Sequence, residues 1–143
     1  MHGPMSRWTK ASIGLAVALA AGWIAHGPIG RGAAFVDRTE AYARAEVAAA
    51  GLPGVQVGLG RDPLSRTAFL SGPANDFQRE GNGWEVGLNG RVGGAPGVAA
   101  VSWDPAARAV PLIAETLALT AFFYLIGLGV GWVFFRPRRQ GFL

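Results

Sequence analysis

His2, His26 and Glu115, the one acid in an otherwise uncharged apolar run, are the side chains in this 143-residue chain that could do chemistry singly. With no cysteine, disulfides and thiolate metal or redox chemistry are excluded. Two isolated histidines also assemble no Ser-His-Asp set and no metal cage. His26 stands in "GWIAHG", with Gly22 four residues earlier on the same helical face, where a small residue clears space for a flat ring. Ligation of haem or bacteriochlorophyll through His26 is one reading. An interfacial imidazole at a helix end is cheaper to place, and no cofactor is expected. Glu115, one turn inside its segment, is expected to snorkel or bond a neighbouring headgroup or helix rather than relay protons.

The stretch "RTAFLSGPANDFQREG", residues 66–81, gathers polar groups around an apolar burst. If Asp76 opened a calcium loop, Gln78 would fall third and Gly87 twelfth, where a bidentate Glu is required. The following "GNGWEVGLNG" lacks the Gly-Lys-Ser/Thr of a phosphate loop. It is expected to be a flexible loop that offers Trp84, flanked by Glu85 and Asn89, to a partner or the membrane surface. The alternative places Trp84 in the core of its own domain.

Two apolar segments frame these groups. Residues 11–29, "ASIGLAVALAAGWIAHGPI", carry no charge, and residues 110–135 carry only Glu115. A helix rising ~1.5 Å per residue needs about 20 residues to cross a bilayer core. Both segments are expected to be transmembrane helices, residues 11–29 and 109–135, because backbone groups in lipid must bond internally. Trp8, Trp23 and Trp132 fall near their ends, where indoles favour headgroups. A cleaved signal peptide, ending at Ala18-Leu19-Ala20, is the rival for the first segment. Apolar character that continues through Trp23 and Ile24 favours retention.

Charge orients the pair. Between residues 31 and 108 eight arginines balance eight acids, so the net +4 arises at the ends, from Arg7, Lys10, Arg136, Arg138 and Arg139 offset by Glu115. A nucleic-acid binder would carry its basic stripe on the folded part, so nucleic acid is not an expected partner. Basic tips outside apolar segments place tails 1–10 and 136–143 in the cytoplasm and residues 30–108 outside it. The Gly- and Ala-rich, lysine-poor composition is that of a high-GC bacterial coding sequence, which makes the site the bacterial inner membrane and the central domain periplasmic. Gly14, Ala18 and Gly22 share one face of the first segment, and Gly127 and Gly131 form GxxxG in the second; both are candidate helix-packing surfaces.

Between the segments, residues 35–51 form an amphipathic pattern, with Phe35, Tyr42 and Val47 inward and Asp37, Arg38, Glu40, Arg44 and Glu46 toward water. "VQVGLG" alternates as a strand, "RDPLS" turns, and "RTAFLSG" pairs back. "ANDFQREG" starts a helix capped by Asn75 or Asp76, which the glycines then interrupt. "PGVAAVSW" supplies a third strand. The expected class is α+β: a small αββαβ domain flanked by two transmembrane helices.

That order, with Leu70-Ser71-Gly72 ending a strand and Pro96, Gly97, Val98 and Val101 in the last one, resembles the BON-domain family over residues 35–104. The resemblance implies a small periplasmic or membrane-anchored bacterial module associated with envelope attachment rather than catalysis. The second helix departs from the family's pattern at Gly81, Gly83, Gly87 and Gly90.

The sequence therefore points to a non-catalytic accessory subunit that stabilises a larger membrane complex, respiratory or photosynthetic. Its expected partners are other integral membrane subunits and the lipid bilayer. An independent module binding phospholipid or cell-wall material is the second reading.

Overall fold

The structure, a computed structural model, describes residues 6–134. Within them the chain runs α1 (Arg7–His26), α2 (Arg31–Ala49), β1 (Gln56–Arg61), β2 (Leu64–Ser71), α3 (Asp76–Glu80), α4 (Leu88–Gly93), β3 (Ala100–Ser102) and α5 (Leu112–Phe134). It is a mixed α+β structure with one three-stranded sheet, ordered β1-β2-β3. The β1–β2 hairpin is antiparallel, and β3 runs parallel to β2. A parallel step requires a crossover, which α3 and α4 provide.

α1 and α5 are long and apolar enough to cross a membrane. α1 begins earlier than the apolar run because Ser6 caps it, its hydroxyl accepting the Thr9 N–H at 3.1 Å. The helix stops at His26 rather than residue 29, before Gly27-Pro28. α5 begins at Leu112, with the Pro111 carbonyl accepting from Ala114 N–H at 2.9 Å. Phe135, His2 and the arginines at 136, 138 and 139 lie outside the described residues.

The two helices run antiparallel: Gly22 faces Leu117 and Thr120, and Gly14 faces Tyr124. Thr116 and Thr120 donate their hydroxyls to the Leu112 and Thr116 carbonyls at 2.9 and 2.8 Å, so neither adds an unpaired polar group to the apolar helix. Tyr124 donates to the Ala11 carbonyl at 2.6 Å and links the helices directly.

α2 covers one face of the sheet. Val36, Ala43 and Val47 meet Val57 and Leu59 of β1, Ala68 and Leu70 of β2, and Leu88 and Val92 of α4. This corrects the expected stripe: Phe35 and Tyr42 are exposed, and Thr39 and Glu40 are buried in their stead. The stripe 36, 39/40, 43, 47 keeps the helical period but is turned by about one residue, ~100°. Small Ala43 lets the helix approach the strands, a space Tyr42 could not fit. Leu112 also belongs to this core, so α5 is rooted in the α+β unit.

The expected single second helix is two. Asn75 caps α3 through a capping box with Gln78. Gly81, at φ +84°, ends it. The third strand is shorter than "PGVAAVSW": only Ala100–Ser102 pairs, because Gly97 turns the chain at φ +92°.

Candidate functional site

α1, α2, α5 and β2 converge where the apolar helices meet the sheet. There a cavity of about 340 Å³ is lined by His26, Arg31, Phe35, Arg66, Glu115 and Leu119, among others. Each reaches it for a local reason. His26 is the last residue of α1, and Gly30, at φ +74°, turns the chain directly into α2. Arg66 lies on the face of β2 shared with Ala68 and Leu70, by the strand's period of two. Glu115 sits in the first turn of α5.

Arg66 organises the junction. Its Nε donates to the Gly97 carbonyl at 2.8 Å and its Nη1 to Glu115 Oε2 at 3.0 Å. Among the described residues Glu115 thus bonds an arginine of the central strand. His26 packs edgewise against α2: a Cβ on Gly32 would fall 2.6–3.0 Å from its Cε1, Nδ1 and Nε2. The clearance that the sequence assigned to Gly22 is therefore supplied by Gly32, while Gly22 faces α5.

A second polar cluster ties α2 to β1. Glu40 is 5% exposed and accepts from Arg61 at 2.6 Å, from Leu59 N–H at 3.3 Å and from Arg44. Burial alone would raise its carboxyl. The Arg61 and Leu59 hydrogen bonds, with the charges of Arg61 and Arg44, outweigh that and hold it below its ordinary value. Arg61 is correspondingly raised, chiefly by its hydrogen bond to Asp37 and then by that to Glu40. This cluster is a clamp in which both Glu40 oxygens are already engaged.

The glycine-rich loop is closed by its backbone. Gly81 and Val86 bridge, and a Cβ on either Gly81 or Gly87 would strike the opposite strand of the loop. Asn82 Oδ1 accepts from the Trp84 and Glu85 N–H groups at 3.1 and 2.8 Å. The result displays Trp84, 95% exposed, beside exposed Val86. Glu85 is also exposed. Asn89 is committed inward: it accepts from Trp103 Nε1 at 2.7 Å and donates to Glu80 at 2.7 Å, while Arg79 stacks over the Trp103 ring at 4.3 Å.

The small-residue surfaces diverge. Gly14 and Gly22 meet α5, whereas a Cβ on Gly127 or Gly131 would meet no other element among the described residues within 4 Å. Ala18 is half-buried between Gly14 and Gly22. Among the described residues no group of three His, Cys, Asp or Glu gathers as a metal site would need.

Arg31, Arg66 and Gly32 were not singled out by sequence reasoning as site residues. Glu40 carried a usable signal, since it lies in the middle of the stripe set by Val36, Ala43 and Val47. No protein-family model, curated protein or solved structure matches the chain.

Proposed function

We propose that the chain is a non-catalytic integral protein of the bacterial inner membrane, an accessory subunit that stabilises a larger complex such as a respiratory or photosynthetic one. In this reading α1 and α5 cross the bilayer as an antiparallel pair. The basic ends stay cytoplasmic and the α+β unit stands in the periplasm. That unit is a BON-like module whose second helix has been rebuilt as the Trp84 loop and α4. His26 packs the junction and holds no haem or bacteriochlorophyll.

Trp84 carries the proposal. Its loop lies against the end of α2 remote from the junction, where Trp84 and Glu85 share a shallow depression with Glu46 and Arg91. Glu46 is fifteen residues along α2 from Arg31, roughly 20 Å at the helical rise. An exposed indole that far from the spans suits a protein surface better than a lipid one, and Trp is the residue type most enriched at interface hot spots. Gly127 and Gly131 support the same reading, because they leave a close-approach face of α5 unoccupied by α1.

Extraction of native membranes in mild detergent, followed by native mass analysis, tests this. Co-migration with a fixed set of subunits is expected, together with its loss in Trp84→Ala. A lone protein with affinity for vesicles would instead favour an independent envelope module binding phospholipid or cell-wall material.

A further inference from the structure

The junction cavity has a two-part lining. Leu112, Leu119 and Phe35 form apolar walls, and Arg31 and Arg66 bring cationic groups to the same space. Among the described residues Arg31 makes no hydrogen bond or ion pair, and Arg66 engages Nε and Nη1 but leaves Nη2 uncommitted. Glu115 neutralises one of the two guanidiniums, which leaves that of Arg31 uncompensated. The volume falls within the range of small-ligand pockets, about 300–1,000 Å³.

We propose that this cavity binds an anionic phospholipid, with its phosphate at Arg31 and the Nη2 edge of Arg66 and the start of one acyl chain along Leu112 and Leu119. The proposal rests on the reading of α1 and α5 as bilayer spans. His26 ends one helix and Leu112 begins the other, so the cavity lies at headgroup level. A phosphodiester with an uncharged headgroup brings one negative charge and cancels the one uncompensated cation. A choline lipid adds a second cation next to Arg31, at a like-charge cost that solvent at headgroup level screens only in part. Charge alone therefore selects the anionic lipid, and the apolar walls select a lipid over free phosphate.

The full chain is reconstituted into nanodiscs of phosphatidylcholine with or without phosphatidylglycerol, released, and examined by native mass spectrometry. One phosphatidylglycerol per protein is expected to be retained, and inorganic phosphate should not displace it. Occupancy should fall roughly tenfold in Arg31→Ala, which removes the free guanidinium, and in Leu119→Trp, which fills the apolar wall. Arg38→Ala, an exposed arginine outside the cavity, should retain lipid as the parent does. Undiminished retention in both cavity variants overturns the proposal, as does displacement by inorganic phosphate, which would make the cavity a free-anion site. Entry into the discs without retention overturns this proposal alone, whereas failure to enter them overturns the membrane reading itself.

Discussion

Arg66 and Glu115, 49 positions apart in the chain, meet at 3.0 Å where the central strand touches the first turn of α5. The same arginine holds the Gly97 carbonyl, so one guanidinium joins strand, turn and apolar helix. Leu112, three residues before Glu115, is buried in the core of the α+β unit. The second apolar helix is thus fixed to the sheet by one apolar and one ionic contact, a turn apart.

Breaking the ionic contact should be felt modestly. Side-chain exposures of 34% and 24% leave the pair partly screened by solvent. Glu115→Gln is therefore expected to cost about 1 kcal/mol, nearer to surface pairs than to buried ones. Arg66→Glu should cost more, since it also loses Gly97 and faces a like charge. Adding Glu115→Arg should recover part of that loss in thermal unfolding of the solubilised protein. A double exchange no more stable than Arg66→Glu alone would show that the two groups are not coupled.

Much of this architecture is legible in the residues, and the rest fails for identifiable reasons. A run of uncharged residues is a local property, so both apolar helices can be read directly. The Asn75 cap and the Val55, Val57, Leu59 alternation are equally local. The phase of α2 is not: Phe35 and Tyr42 are more apolar than Ala43, yet the sheet accepts the small residue. Gly32 looks like any other glycine until the chain turn at Gly30 brings His26 against it. The Arg66–Glu115 pair is set wholly by tertiary placement, and no spacing announces it.

Glu40 should make stability depend on acid pH. Its folded value lies below its ordinary value. A depressed carboxyl stabilises the fold in full above the unfolded value, roughly 4.3, and loses that contribution as pH falls through the folded value. Glu40→Gln is expected to cost about 1–3 kcal/mol at neutral pH. The gap between parent and variant should stay flat above roughly pH 5 and narrow below 4.3. A gap that is constant down into strong acid would remove the clamp as its cause.

His26 and Gly32 should behave as a complementary pair. Gly32→Ala puts a methyl within 2.6–3.0 Å of three ring atoms, so the imidazole must leave its place. Overpacking of this kind costs about 1–3 kcal/mol. His26→Ala empties the space, and the double variant should therefore be more stable than Gly32→Ala alone. If His26→Ala gives no such rescue, the ring is not what Gly32 accommodates.

The glycines of α1 and α5 should separate packing inside the chain from packing against a partner. Gly14 lies beneath Tyr124, whose hydroxyl donates to Ala11 at 2.6 Å. Tyr124→Phe should lose about 0.6 kcal/mol, the usual worth of a hydrogen bond between membrane helices. Gly14→Val should cost more, because the ring must shift before the helices can meet. At Gly127 and Gly131 an added Cβ meets no other described part of the chain within 4 Å, so Gly127→Val and Gly131→Val should change the thermal stability of the isolated protein little. A partner helix seated on that face would nonetheless be pushed away by the added side chains. Loss of co-migration in native gels, with unchanged stability of the purified chain, is the expected result for both. Should all three valine variants unfold alike, the α5 glycines serve the fold and offer no separate docking face.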